Sequence, residues 1–527
     1  MSFLQAPIQP QNIPQTQPTD NRQIKNDAGG YVYSASDFEL LDRFLIIGTV
    51  GGTYYADQSK LTQEGLDLCA KLATTVETGL ALVKCLREVS EGGLALRQDY
   101  ALVALAIAAA SIHQEVRQAA YAAVVPVCRT ASTLFQFVSY LRGRRGWSRG
   151  LRSAISAWYL HRNQYSLAYQ VVKYRRRHGW THKQLLQKVK PAVGEHESKN
   201  VIRFIVGKEY DSVPEIISRY MKANTPIEVL TKDEIKHLAS TLPREALPLE
   251  WLNSSEVWEA LLYGDNGKGM PLTALIRNLG KMTNAGLLVP NSDATRYVVG
   301  ELMNITRIQQ ARIHPMALFT AYKTYGQGHG EKGSMSWSPV NAVIDALMHS
   351  FELALGNVTP TGKRLCVAVD SSGSMQSATC MGIPGTTATQ LSAAMTYMHY
   401  KTEPITPVTC LFDTRVQEIK FASDVTLERF INRIPNEGGG TDGNLPFLMA
   451  KKENCDAAVI YTDGQIWASR NITQTIKEWR SGAEHRKALA VHTSTANHNM
   501  LDGSDLRNLN IAGFSADAGH LVTDFLR

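Results

Sequence analysis

Leu365-Cys366-Val367-Ala368-Val369-Asp370-Ser371-Ser372-Gly373-Ser374 joins a wholly apolar run to a cluster of carboxylate and hydroxyl groups. A short apolar run bounded by turn-forming residues reads as a buried strand, so Asp370 stands at its carboxyl end. Comparable runs follow at Pro407 to Phe412, Ala457 to Tyr461 and Ala488 to His492. Helical stretches lie between them, around Ala388 to Tyr400, from Leu427, from Asn444 and over Ile472 to Trp479. Strands alternating with helices predict an α/β domain with a doubly wound parallel sheet over residues 359–527.

In such a sheet, ligands bind beyond the carboxyl ends of the strands, at the topological switch point. Asp370, Ser372 and Ser374 follow one predicted strand. Thr441 lies in the loop Gly438-Gly439-Gly440-Thr441-Asp442, and Asp463 closes another strand in Ile460-Tyr461-Thr462-Asp463-Gly464. Together these five would offer only hydroxyl and carboxylate oxygens, which suit a hard divalent cation, Mg²⁺ above all, with waters completing the shell. An open position there would accept a carboxylate or phosphate from a partner. Without a metal, the same residues would serve as helix caps and loop ties. The pattern resembles the metal-ion-dependent adhesion site of von Willebrand factor A domains at all five positions.

Upstream, from about Asp37 to Leu355, the dominant period is helical. Leu272, Leu275, Ile276, Leu279 and Met282 recur at the spacing of one helix face, as do Leu151, Ile155, Trp158 and Tyr159, and Ile216, Ile217 and Tyr220. Many moderate helices broken by Gly, Pro and polar clusters predict stacked helical hairpins over residues 37–358, although no fixed-period repeat is legible. Residues 1–36 are rich in Gln, Pro and Asn, with Pro7, Pro10, Pro14 and Pro18 interrupting any regular element, and read as a flexible tail.

Charge is unevenly placed. The net charge of the 527 residues is +7, yet Val116 to Gly194 contains no Asp or Glu and holds fifteen Lys and Arg, so the remainder is net acidic. Such an asymmetry is the electrostatic footprint of a polyanion partner, most often nucleic acid. The competing reading is a set of solvated helix faces whose acidic partners come from elsewhere in the fold. Trp158 and Tyr159 share a helix face with Ile155 and read as core, which leaves Tyr174 and Trp180 as candidates for stacking on unpaired bases.

Composition narrows the classes further. A chain that is 44% hydrophobic and 20% charged, with mean hydropathy −0.18, is neither disordered nor fibrous, and its length calls for two or more domains. The longest apolar run, Ala101 to Ala110, is too short to cross a bilayer core of about 30 Å. The N-terminus lacks a secretory pattern, and seven scattered cysteines without CxxC suit buried thiols in a reducing, cytoplasmic setting. Gly328 to Gly333 fits GxGxxG without a preceding strand, and Gly146 to Gly150 fits GxSxG inside the arginine cluster, so neither predicts its usual chemistry. Asp370 and Asp463 lack a second carboxylate pair or general base for phosphoryl chemistry, and no catalytic residue is assigned.

Several segments carry a resemblance along most of the chain. They are Arg43-Phe44 with Gly51-Gly52-Thr53-Tyr54-Tyr55, Lys173-Tyr174-Arg175 through Gly179-Trp180-Thr181-His182-Lys183, Met270 to Met282, Ala311 to Pro315, and Pro360 to Arg364 leading into the metal motif. In this order they resemble the Ro ribonucleoprotein autoantigen family. The resemblance implies a multidomain protein with an all-α, HEAT-like helical-repeat ring (TROVE-type), followed by a von Willebrand factor A domain. It implies a noncatalytic protein that binds small noncoding Y RNAs on a basic outer face. Single-stranded ends of misfolded or immature RNAs would enter a central hole, with exoribonucleases as associates. It places the Y RNA site at Lys173, Arg175, Arg176, Arg177, His182 and Lys183, with Arg142, Arg144 and Arg145 beside them. The alternative is a metal-dependent protein-binding adaptor acting through the A-domain site.

Overall fold

The computed structural model describes residues 14–26, 29–46, 58–92, 98–265, 269–330, 334–376, 386–434, 440–466, 471–492, 498–512 and 525–526. The segments Gly51 to Tyr55 and Glu331 to Gly333, with Gly438, Gly439 and Cys380, lie outside them. The chain divides into two compact units. One gathers Met1–Arg43 and Thr49–Leu61 with Leu355–Arg527, and the other takes Phe44–Gly48 with Thr62–Ala354.

Within the first unit, the described residues 14–26 and 29–36 are not a flexible tail. Strands β1 (Gln23–Lys25) and β2 (Tyr31–Ser34) pair antiparallel. Val32 and Tyr33 are buried, and Val32 joins the core of the C-terminal sheet. Pro14 and Pro18 precede the strands instead of interrupting them, and the Asn26 side chain finds an acceptor far away in sequence, the Ile466 carbonyl.

The second unit is helical. Consecutive helices pack as pairs, among them Val76–Gly92 with Gln98–Ala109, Lys232–Thr241 with Ser255–Tyr263, and Pro315–Gly326 with Asn341–Ala354. The helix Leu272–Asn284 buries Leu272, Leu275, Leu279 and Met282, one face of a 3.6-residue period. The helix Arg149–Leu160 buries Leu151, Ile155, Trp158 and Tyr159 as expected. Ser148, the serine of the GxSxG match, accepts a hydrogen bond from Leu151 N as the N-cap of this helix. A two-stranded hairpin, β3 (Arg176–Arg177) with β4 (Trp180–Thr181), interrupts the helices. Its two-residue loop has positive φ at His178 (50°) and Gly179 (78°), the signature of a type I′ turn.

The C-terminal sheet has six strands in the order β11-β9-β8-β5-β6-β7: β5 (Leu365–Asp370), β6 (Val408–Phe412), β7 (Val416–Glu418), β8 (Ala457–Thr462), β9 (Lys487–His492) and β11 (Asn508–Ala512). β10 (His498–Asn499) instead extends the N-terminal pair by joining β2. All neighbours in the large sheet run parallel except β7, which pairs antiparallel with β6 at the edge. The sheet is therefore mixed, where a purely parallel one was expected. Every residue of β5, β6 and β8 is buried, as continuous apolar strands covered on both faces require.

Candidate metal site and nucleic-acid interface

The chain runs from β5 to β6 on one side and returns to β8 on the other, so the switch point lies at β5. Asp370 ends β5 and Asp463 follows β8, and both are buried. Ser372 N donates to Asp370 Oδ1 at 2.9 Å, and Thr462 Oγ1 donates to Asp370 Oδ2 at 2.6 Å. The Ser372 and Ser374 hydroxyls lie 3.2 Å apart, and Ser374 bonds the Asp463 carboxylate. Gln465 N donates to Asp463 Oδ1 at 2.9 Å. Thr441 is buried on a loop tied to the residue after β6 through Asp442 N donating to Asp413 O at 2.7 Å.

Two carboxylates so placed resist ionising together. Burial, and then the charge of Asp463, push Asp370 up to about 7, and burial pushes Asp463 upward as well. A divalent cation would remove that repulsion, and the donors present are the oxygens that a hard cation selects. Among the described residues no group of three or more His, Cys, Asp or Glu could hold a metal ion. Any site here therefore depends on hydroxyls completing the set of two carboxylates. Thr462, which orients Asp370 without belonging to the five-residue pattern, escaped the sequence reading because nothing marks a threonine at a strand end.

In the helical unit the basic residues assemble around the β3–β4 hairpin. Arg142, Arg144 and Arg145 occupy the exposed last turn of the helix Ala131–Arg145, where cations complement the helix dipole. Ser139 of that helix donates to the His178 carbonyl at 3.0 Å and fixes the hairpin against it. Arg176 and Arg177 are exposed on β3, and Lys183 is exposed in the helix that begins at His182. Lys173 Nζ donates to Tyr169 Oη at 3.1 Å, and Arg175 Nη1 reaches Tyr220 Oη at 3.2 Å and Asn224 Oδ1 at 3.1 Å. Among the described residues, no Lys or Arg between Val116 and Gly194 forms an ion pair with a carboxylate. Acids elsewhere in the fold reach this segment at Lys173, which interacts electrostatically with the Glu245 carboxylate.

His182 is a correction. It is only 3% exposed. Its Nδ1 lies 2.8 Å from Tyr159 Oη, and its ring sits edge-on to Phe135 at 4.9 Å. Burial lowers its pKa to about 3, so it is a neutral core histidine that presents nothing to a phosphate. Trp180 is likewise unavailable for stacking. At 9% exposure it packs edge-on against Trp147, donates Nε1 to Ser139 Oγ at 3.1 Å and lies under Arg142. Tyr165 (67% exposed) and Tyr169 (40%) are the exposed aromatics of the helix Gln164–Lys173, aligned with Lys173 at i, i+4 and i+8. That spacing was legible in the sequence, and the sequence reading passed over it. No helix of the described residues is long and apolar enough to cross a membrane.

Known proteins resemble the chain over its whole length. The family model of the TROVE domain matches residues 24–246 and 195–324, and that of the Ro60 vWA domain matches residues 364–526. A protein of Deinococcus radiodurans named RNA-binding protein RO60 is 34% identical over 540 residues, covering 100% of this chain and 99% of that one. A Caenorhabditis elegans protein of the same name is 29% identical, covering 96% and 90%. The crystal structure of the Deinococcus radiodurans RO (RSR) protein superimposes with a TM-score of 0.71 at 30% identity, covering 93% of this chain and 99% of that one.

Proposed function

The chain belongs to the Ro60 family, with a TROVE domain followed by a Ro60 vWA domain, and we propose that it is a noncatalytic RNA-binding protein of the cytoplasm. Y RNAs bind at the basic surface around the β3–β4 hairpin. Single-stranded ends of misfolded or immature RNAs enter the central hole of a helical ring, and the protein serves RNA quality control, degradation or maturation with an exoribonuclease. The observation that carries RNA binding is the acid-free stretch of fifteen basic residues, none of which forms an ion pair among the described residues. Unpaired surface cations are what counterion release from a phosphate backbone needs.

Arg176, Arg177, Lys183, Arg144 and Arg145 supply exposed charge to the backbone, and Arg142 supplies charge from above the Trp180 ring. Arg175 and Lys173, tied to Tyr220 and Tyr169, supply fixed charge beside aromatic rings. Asp370, Ser372, Ser374, Thr441 and Asp463 would hold a divalent cation, Mg²⁺, which when bound offers a partner's carboxylate or phosphate an open position. That cluster favours a second reading, an adaptor that captures a protein through the A-domain site.

A titration with two labelled RNAs tests the proposal. One is structured with a single-stranded 3′ tail and the other is its blunt counterpart, each at several salt concentrations. Preference for the tailed RNA with affinity falling steeply in salt is expected. Weak, equal binding to both would overturn the RNA reading and leave the adaptor.

A further inference from the structure

Gln15, Asn26 and Gly30 lie against the loop that carries Asp463 and the helix start that follows it. Asn26 is buried, and its Nδ2 donates to the Ile466 carbonyl at 2.9 Å and reaches the Gly464 carbonyl at 3.5 Å. The same side chain accepts from Gly30 N at 2.8 Å, and Asn26 N donates to the Gly30 carbonyl at 2.8 Å, so the turn is locked around it. Gly30 presses directly on the loop. A Cβ there would stand 2.0 Å from the Ile466 carbonyl oxygen, which leaves no room for any other residue without displacing one segment.

Further contacts extend the seam. Gln15 accepts from Ile472 N at 3.1 Å, satisfying an otherwise orphan amide at the start of the helix Ile472–Arg480. Tyr33 Oη lies 2.9 Å from Thr473 Oγ1. Ile466 passes the constraint inward. Its side chain and that of Ile472 stand 3.2 Å from where a Cβ on Gly443 would be, two residues after Thr441. Thus Asp463-Gly464-Gln465-Ile466 is held from outside by Asn26 and Gly30 and from inside by the Thr441 loop.

We propose that the N-terminal segment is a working part of the metal site, with Asn26 and Gly30 as positioning residues that set where Asp463 stands relative to Asp370. The proposal rests on the reading that this cluster binds a divalent cation. Groups that orient metal ligands without touching the ion typically change affinity by about 10–100-fold when removed.

The test is Mn²⁺ binding to the full-length protein, followed by the electron paramagnetic resonance signal of the free ion, alongside the melting temperature of the metal-free protein. Asn26→Ala and Gly30→Ala are each expected to weaken Mn²⁺ binding about tenfold or more. Tyr33→Phe, which loosens the seam without touching the loop, is expected to leave Mn²⁺ affinity at the wild-type value. Wild-type affinity in both Asn26→Ala and Gly30→Ala would overturn the proposal while the metal reading stood. An equal loss in Tyr33→Phe would reduce the effect to general loosening and also overturn it. Failure of the wild-type protein to bind Mn²⁺, with Asp463→Ala no different, would overturn the metal reading and the proposal together.

Discussion

In the helical unit Arg176 and Arg177 stand in solvent on a two-residue strand, whereas in the sheet unit Asp370 and Asp463 are buried at strand ends and bonded by hydroxyls and backbone amides. Both are concentrations of like charge, and each avoids self-repulsion differently. The arginines are hydrated and screened over a Debye length of about 8 Å at physiological salt. The carboxylates have no such screening, and burial raises their pKa values instead. The first arrangement suits a long, variable polyanion that brings many phosphates. The second suits one small ion held at a defined point.

The largest expected effect removes the buried partner of this pair. Asp370→Ala should lower Mg²⁺ affinity about a hundredfold or more, beyond what removal of an orienting group costs, measured by calorimetric titration. RNA affinity of the same variant should stay at the wild-type value, and a parallel loss of RNA binding would break the separation between the two regions.

The second concerns the buried histidine of the basic region. Its pKa is about 3 in the folded protein against an ordinary value of 6.5, so above pH 6.5 neither folded nor unfolded chain protonates it and stability is unaffected. Below 6.5 the unfolded chain takes up a proton that the folded one refuses. Stability should therefore fall by up to about 1.4 kcal/mol per pH unit on acidification. Urea unfolding of wild type and His182→Gln at pH 7, 6 and 5 checks this, the variant showing the shallower dependence. Equal slopes would mean that His182 titrates as a surface group.

The smallest effect sharpens the contrast within the basic face. Arg176→Ala with Arg177→Ala should flatten the dependence of log affinity on log salt by about 0.7 per lost single-strand phosphate contact. Arg175→Ala, whose guanidinium is engaged by Tyr220 and Asn224, should change the slope less. Titrations at four salt concentrations measure both, and an unchanged slope in the double variant would mean that these arginines do not touch the backbone.

Much of the sheet domain was legible because its signals are local. Apolar runs end on Asp370 and beside Asp463, and Asp370, Ser372 and Ser374 lie within five consecutive residues. The basic stretch was legible for the same reason, since charge can be counted without knowing the fold. The burial of His182 was hidden, because the Tyr159 hydroxyl and Phe135 ring that enclose it come from two other helices. A histidine among arginines looks like one more cation until packing removes its water. The N-terminal segment misled more strongly. Its Gln and Pro content suits disorder, yet Asn26 finds its acceptors 438 and 440 residues away.

By itself, then, the order of residues determined the two-part architecture, the location of positive charge and the identity of the oxygen donors, because periodicity, charge and strand ends are properties of neighbours along a chain. Tertiary structure alone decided which cations form no ion pair among the described residues, which histidine and tryptophan are enclosed, and that the N-terminal segment packs on the loop that carries Asp463. Those depend on solvent exclusion and on hydrogen bonds of about 3 Å between residues that sequence distance does not relate.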